Sequence, residues 1–177
     1  MRFVGIDPST KTGFVALDSH GNVLRAKELT GVGSKDPKRM VTLIHEVMQH
    51  IKEDDYICIE GFSYGSKGKG IGFQFGLGYG IRNMLFVRKI NCIDVSPGQL
   101  KKFGCGKGNA GKDELAVGIY KNFGFEHSSD NVRDAYVLAQ IGRALKFNKV
   151  DYKYQKEVIE AITKSNDLLR GDKFEKV

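Results

Sequence analysis

Hydrophobic and polar positions alternate along the first part of the chain, and this pattern predicts three short strands. The strands cover residues 2–7, 12–18 and 22–29, and turns rich in Ser, Thr, Gly and Asn separate them. Because the connections are so short, we expect an antiparallel meander. Residues 37–53 then repeat their apolar positions every three or four residues, which predicts a helix with one buried face.

The rest of the chain alternates between apolar strands and helices. Residues 55–60 and 90–95 are apolar runs that predict buried strands. The predicted helices cover residues 71–88, 97–103, 112–123, 153–169 and a segment that starts at the cap 128–130 and ends at 147. This order is typical of an α/β domain whose mixed five-stranded sheet has three antiparallel strands first and helices on its faces.

The domain organisation that we expect is simple. Residues 1–147 should form one domain, with 148–177 as a C-terminal helical extension of it. A chain of 177 residues with 41% hydrophobic residues can bury a core without disulfides. The three cysteines form no CxxC pair, which argues against a zinc site. The sequence has neither a signal peptide nor an apolar run of the roughly 18 residues that a membrane span needs, so we expect a soluble, intracellular protein.

The net charge favours a polyanionic partner, and a glycine-rich stretch predicts a mobile loop. Lys and Arg outnumber Asp and Glu by 28 to 21, which favours a nucleic-acid partner. Eight glycines fall between positions 61 and 80 and predict a mobile loop over 61–70. Its aromatic and basic side chains could stack on unpaired bases, although a plain surface loop is the alternative. These side chains are Phe62, Tyr64, Lys67 and Lys69.

Four acidic residues form the candidate catalytic site. Asp7 and Glu60 end two predicted strands, and strand ends are where α/β sheets build their sites. Asp130 and Asp134 are four residues apart, so one helical turn places them on the same face. Carboxylates brought together repel each other unless a cation joins them, and oxygen ligands suit Mg²⁺ or Mn²⁺. Two such ions could promote the hydrolysis of a phosphodiester bond.

Each acid also has a purely structural interpretation. Asp7, directly before Pro8, could be a turn residue, and Asp130 could be only a helix N-cap. Glu60 and Asp134 are harder to explain in this way because apolar segments flank them. Asp18 and Asp94 are weaker candidates for the site.

The segment 106–112 imitates a phosphate-binding loop. It fits the pattern Gly-x-x-x-x-Gly-Lys, but Asp113 stands where such a loop has a Ser or Thr hydroxyl. We therefore expect no nucleotide cofactor. Lysines around the loop could still contact DNA phosphates, and the alternative is a solvated basic surface. These lysines are Lys101, Lys102, Lys107 and Lys112.

Taken together, these motifs resemble the RuvC-type Holliday junction resolvases of the RNase H-like superfamily. The resemblance is carried by residues 5–14, 59–62, 97–102, 106–112 and 130–139. It extends over about residues 1–147 in the right order. The short chain and the divergent loop are similar to phage-encoded versions.

The resemblance implies an RNase H-like fold, a homodimer and two Mg²⁺ or Mn²⁺ ions per active site. The implied reaction is a pair of nicks across a four-way DNA junction in recombination and repair. Asp7, Glu60 and Asp134 match three family carboxylates. The remaining family acid falls at Asn131, so Asp130 is its expected substitute.

The resemblance also assigns roles to basic and aromatic side chains. Lys112 and Lys101 match family lysines near the scissile phosphate, and Phe62 and Tyr64 are the candidates for an aromatic wedge. The implied location is the cytoplasm, that of the host if the protein is phage-encoded. Three alternatives remain open: a broader branched-DNA endonuclease cutting forks, flaps or three-way junctions, a non-catalytic branched-DNA-binding module, and an RNase H-like ribonuclease.

Overall fold

A mixed sheet of five strands lies at the centre of the structure. The computed structural model describes residues 1–62 and 70–166. The strands are β1 (Phe3–Asp7), β2 (Thr12–Leu17), β3 (Val23–Leu29), β4 (Tyr56–Glu60) and β5 (Cys92–Val95). The helices are α1 (Lys38–His50), α2 (Ile71–Val87), α3 (Pro97–Cys105), α4 (Lys112–Phe123), α5 (Asp130–Phe147) and α6 (Lys153–Ser165).

The strand order is β3-β2-β1-β4-β5, with β1 in the middle. The first three strands run antiparallel, whereas β4 pairs parallel to β1 and β5 parallel to β4. The predicted mixed sheet is therefore confirmed. Ile6 pairs with Ile59, so the next residues along the two strands, Asp7 and Glu60, end side by side at the same edge of the sheet.

Helices cover both faces of the sheet. On one face α5 packs with α3, α4 and α6, and on the other face lie α1 and α2. Side chains along β1 alternate between these two layers, as the pleat of a strand requires. Phe3 belongs to the α5 layer, and Val4 and Ile6 belong to the α1 and α2 layer. The same alternation turns Asp7 towards α5.

The backbone of α5 lies unusually close to the sheet. A Cβ atom at Gly5 of β1 would collide with the backbone oxygen of Ala135, and one at Gly13 of β2 would collide with that of Asn131. Two glycines on neighbouring strands therefore let the first turns of α5 rest on the sheet. This contact brings the start of α5 next to the end of β1.

The C-terminal helix α6 is part of the same packed layer. Its Val158 and Ile162 are buried in the α5 core, and Tyr154 accepts a hydrogen bond of 3.0 Å from Asn122 of α4. This packing supports the proposal that residues 148–177 extend the domain formed by 1–147. The helix ends at Ser165, before the predicted end at 169, because the backbone of Asn166 is extended.

Several predicted features lie outside the described residues. These are Tyr64, Lys67 and Lys69 of the predicted loop, and the part of the chain that follows Asn166. Within the described ranges, no helix is both long enough and apolar enough to cross a membrane. All three cysteines are free thiols.

We predict that Gly5→Ala destabilises the protein by at least about 2 kcal/mol, because the added methyl group meets backbone that cannot move aside. Gly72→Ala is the matched control, since a Cβ atom at Gly72 meets no atom within 4 Å. That change should be neutral or stabilise α2 by up to about 1 kcal/mol. Urea unfolding monitored by circular dichroism measures both. Equal midpoints for the two variants would contradict the close contact.

Candidate active site

Four acidic side chains converge where β1 and β4 end. Asp7 is the last residue of β1, and Glu60 is the last residue of β4. Asp130 is the first residue of α5, and Asp134 lies one turn further on. Ser129 fixes the start of this helix, because its hydroxyl accepts a hydrogen bond from the backbone N–H of Val132.

Asp7 is the centre of this group. Its side chain is almost fully buried, and the residue is only 5% exposed. Burial raises the pKa of Asp7 well above its usual range, and the nearby carboxylates of Glu60, Asp134 and Asp130 raise it further. The side chains of Asp7 and Glu60 also share a hydrogen bond. Residues from two distant segments of the chain, β4 and α5, therefore act on one carboxyl group.

Glu60 and Asp134 experience the same environment. Burial raises the pKa of Glu60, while the hydrogen bond with Asp7 and the positive charge of Lys101 lower it. Burial, with repulsion from Glu60 and Asp130, raises the pKa of Asp134 to about 7. The pKa values of three of the four carboxyls are thus raised, mainly because the groups are buried, and for Asp7 and Asp134 also because other carboxylates lie nearby.

Asp130 differs from the other three acids because it has a cationic partner. The ammonium group of Lys112, the first residue of α4, donates a hydrogen bond to the Asp130 carboxylate. This contact lowers the pKa of Asp130 and raises that of Lys112. The Lys112 side chain is 81% exposed, so it can leave Asp130 without uncovering a core.

The side chain of Asn131 has a structural task. Its amide donates a hydrogen bond of 2.7 Å to the backbone oxygen of Lys11, in the turn between β1 and β2. An acidic side chain could not donate this bond. Ser129 adds a second link, because its hydroxyl donates to the carboxylate of Glu28 at 2.6 Å. The start of α5 is therefore fastened by polar contacts to the β1–β2 turn and to β3.

The predicted DNA-binding lysines occupy different settings. Lys101 lies close enough to Glu60 and Asp134 to lower the pKa of both. Lys102 pairs with Glu157 of α6 at 2.8 Å, and Lys107 pairs with Glu114. Together with the Lys112 pair, three of the four lysines predicted around the 106–112 segment already bind a carboxylate. Their contact with DNA stays a prediction.

Phe62, one of the two wedge candidates, packs against α2. Its ring stacks on Phe75 and Tyr79, with centroids 4.8 Å and 4.6 Å away. The guanidinium carbon of Arg82 lies 4.6 Å from the centroid of the same ring. These contacts hold the ring beside the acidic group. Whether it acts as a wedge stays a prediction, and the other candidate, Tyr64, is outside the described residues.

The chemistry of the acidic group suits hard divalent cations. Over residues 1–62 and 70–166, no three His, Cys, Asp or Glu side chains are arranged tightly enough to hold a metal ion as they stand. The donors are nevertheless all carboxylate oxygens, which Mg²⁺ and Mn²⁺ prefer. A cation among them would remove the repulsion that raises the pKa of Asp7 and Asp134. The residues present therefore fit such an ion.

Comparison with solved structures identifies the fold. A structure of Thermus thermophilus RuvC matches with a TM-score of 0.67 and 15% identity, covering 84% of this chain and 97% of that one. A second, T. thermophilus RuvC in complex with Holliday junction substrate, matches with a TM-score of 0.57 and 18% identity, covering 78% and 90%. The fold is that of RuvC. No protein-family model matches the sequence, and no curated protein matches it.

The RuvC fold confirms the predicted RNase H-like architecture, but two residues near the site were not anticipated. Asn131 was treated only as a missing acid, and Arg82 was not considered. A signal for Arg82 was present in the sequence, since a lone arginine amid the apolar and glycine-rich residues of α2 indicates a specific partner. That partner is Asp94, which was weighed only as a weak candidate for the site.

We predict that Asp134→Asn stabilises the metal-free protein above pH 7. The pKa of Asp134 is about 7 in the folded protein against 3.8 for an ordinary Asp, so between these values the unfolded chain releases a proton that the folded protein keeps. The stabilising effect of this group is thus present at low pH and is lost as the pH rises through about 7. Asparagine removes this loss, which is worth about 1 to 4 kcal/mol.

Urea unfolding in EDTA at pH 4 and pH 8 measures the effect. The variant should exceed the wild type at pH 8, and the advantage should shrink at pH 4. Asp18→Asn is the control with the opposite sign, because hydrogen bonds from Asn22 lower the pKa of Asp18. An Asp134→Asn protein that is less stable than the wild type at pH 8 would contradict the charge repulsion.

Proposed function

We propose that the protein is a metal-dependent, structure-selective endonuclease that resolves four-way DNA junctions by paired phosphodiester hydrolysis. The observation that carries this proposal is the convergence of Asp7, Glu60, Asp130 and Asp134 at one end of the sheet, where burial raises the pKa of three of them. The fold supports the substrate, because one of the similar structures is a RuvC in complex with a Holliday junction.

The four carboxylates would hold two divalent ions. Asp7 would contribute to both, with Glu60 at one ion and Asp134 or Asp130 at the other, because all three of these acids act on the Asp7 carboxyl group. When bound, the ions supply an activated water and neutralise charge on the departing 3′ oxygen. Asp7 and Glu60, at the rigid ends of paired strands, would fix the position of the reacting phosphate relative to the sheet.

Lys112 would neutralise charge on the scissile phosphate. In the free protein its ammonium group binds Asp130, and its exposure lets it exchange this carboxylate for a phosphate oxygen. Lys101 would act beside it, because it lies near Glu60 and Asp134. The two lysines come from α3 and α4, so the loop between these helices determines their spacing.

The remaining basic residues would hold the DNA backbone. Lys102 and Lys107 flank the site on the α3–α4 segment, and their contacts with phosphates would add affinity without sequence preference. Phe62, Tyr64, Lys67 and Lys69 would contact unpaired bases or the strand at the branch point. Cutting both strands of a junction needs two active sites, so we also propose a homodimer.

A surface on α2 offers a contact for the second copy. Tyr79, Phe86 and Val87 are 50%, 68% and 71% exposed, although all three are large and apolar or aromatic. Exposed apolar side chains on one helix often mark a protein interface. The surface lies on the side of the sheet opposite α5.

Two alternatives differ from this proposal in substrate or in chemistry. An endonuclease of broader range would also cut forks, flaps and three-way junctions with the same carboxylates. A non-catalytic DNA-binding module would gain nothing from three buried acids whose pKa values are raised, since this arrangement lowers stability near neutral pH. The acidic group therefore favours a nuclease.

We predict that Asp7→Asn abolishes cleavage but not binding. The cleavage rate on a synthetic four-way junction with Mg²⁺ should fall at least about 100-fold, because the central ligand is lost. The dissociation constant for the junction should change by less than about threefold. Asp54→Asn, which changes an exposed carboxylate paired with the N-terminus, is the control and should cut normally. Normal cleavage by Asp7→Asn would refute the assignment.

The same assay with forks, flaps, duplex DNA and RNA–DNA hybrids separates the candidate functions. A resolvase should make symmetrical nicks in the four-way junction and leave the duplex and the hybrid intact. Cleavage of all branched substrates at similar rates would favour the broader endonuclease. Cleavage of the hybrid alone would favour the ribonuclease.

We predict that Lys112→Ala slows cleavage about 10- to 100-fold and weakens junction binding less than about threefold. The reason is that Lys112 would act on charge that develops in the transition state rather than on the bound ground state. Lys121→Ala, at the other end of α4, is the matched control and should cut at the normal rate. Single-turnover rates and gel-shift titrations measure the two effects. If the variant binds the junction poorly but cuts at the normal rate when saturated, Lys112 only binds the DNA backbone and has no role in the transition state.

A further inference from the structure

Arg82 of α2 lies directly behind the acidic group without belonging to it. Its side chain is only 14% exposed, although α2 is otherwise lined with apolar and small residues. An arginine in such a place needs partners for its five donors. Arg82 has these partners, and they come from three different elements around the end of β4.

The guanidinium group forms a fork between two strands and its own helix. Nη2 donates a hydrogen bond of 3.0 Å to the backbone oxygen of Glu60. Nε donates a bond of 3.0 Å to the carboxylate of Asp94 on the edge strand β5, and Nη2 contacts the same carboxylate. Nη1 closes the arrangement with a bond of 3.0 Å to the backbone oxygen of Gly78, one turn earlier in α2.

The same group also covers an aromatic ring. Its carbon lies 4.6 Å from the centroid of Phe62, on a ring that already stacks on Phe75 and Tyr79. Phe62 is two residues after Glu60, and only Gly61 separates them. Arg82 therefore contacts the residues on both sides of Gly61. It binds the backbone carbonyl of Glu60, a predicted metal ligand, and it covers the ring of Phe62.

We propose that Arg82 is a positioning residue that fixes the direction of the Glu60 carboxylate and couples it to the position of Phe62. This inference rests on the proposed nuclease function. A shift of Phe62 on contact with branched DNA would move the guanidinium, and with it the backbone of Glu60. The direction of the Glu60 carboxylate would then depend on the position of the Phe62 ring.

Lysine cannot replace arginine in this role. An ammonium group is a compact point charge and cannot bind a carbonyl and a carboxylate in a fixed fork while it also lies flat over a ring. Asp94, which is 58% exposed, holds the fork from the edge strand. Asn at this position keeps the shape but loses the charge, so Asp94→Asn should loosen Arg82 without disturbing the core.

The experiment compares Arg82→Lys with Arg39→Lys. Arg39 is a matched control, because its guanidinium also covers a ring, that of Phe73 at 4.4 Å, and also pairs with a carboxylate, that of Asp36. Each variant is tested for its saturated cleavage rate and junction affinity with Mg²⁺, its melting temperature, and its affinity for Mn²⁺ alone by calorimetry without DNA.

We expect Arg82→Lys to lower the saturated cleavage rate about tenfold or more and to weaken Mn²⁺ binding several-fold. Its junction affinity should stay within about twofold, and its melting temperature should match that of Arg39→Lys. Asp94→Asn should cause a smaller loss of rate. Added to Arg82→Lys, it should cause no further loss, since both changes release the same group.

Two outcomes would overturn the inference while leaving the proposed function intact. In the first, the wild type cuts junctions, and the Arg82→Lys protein cuts them as fast as the Arg39→Lys protein does. The other is a cleavage rate that falls in the Arg82 variants in proportion to their melting temperature while their Mn²⁺ affinity stays unchanged, because a purely structural residue would give that result. A wild type that cuts no DNA substrate would instead refute the proposed function itself.

Discussion

The direct contact between the backbone of α5 and the backbones of β1 and β2 determines the geometry of this molecule. Gly5 and Gly13 have no Cβ atoms, so the oxygens of Ala135 and Asn131 occupy the space where side chains would be. A helix at the usual distance from a sheet could not bring Asp134 beside Asp7 at the strand end. The two glycines therefore set the spacing of the acidic group, and a larger residue at either position would push its members apart.

The close spacing of these acids is electrostatically unfavourable. Burial and mutual repulsion raise the pKa of Asp7, Glu60 and Asp134, and only Asp130 has a close cationic partner. A fold selected for stability alone would replace such acids with amides or apolar residues. Such acids, at the ends of buried strands and in the first turns of a buried helix, are typical of a site in which stability is exchanged for the capacity to bind cations.

Local patterns in the sequence were enough to predict the sheet, its strand directions and the position of the four acids. The ends of the strands, the four-residue spacing of Asp130 and Asp134, and the Ser cap of α5 can all be recognised from residues that are close in sequence. Arg82 and Asn131 could not be placed in this way, because their partners, Glu60 with Asp94 and Lys11, are distant in sequence. The stacking of Phe62 on α2 likewise depends on a tertiary contact and not on the glycine-rich composition around it.

The ion pairs on the α3–α4 segment have a consequence for affinity. Glu157 and Glu114 neutralise Lys102 and Lys107 before any DNA arrives. A phosphate that binds either lysine must displace a carboxylate fixed to the protein, and this exchange sets free fewer small ions than a bare lysine would. The dependence of junction affinity on ionic strength should therefore be shallower than the number of lysines suggests.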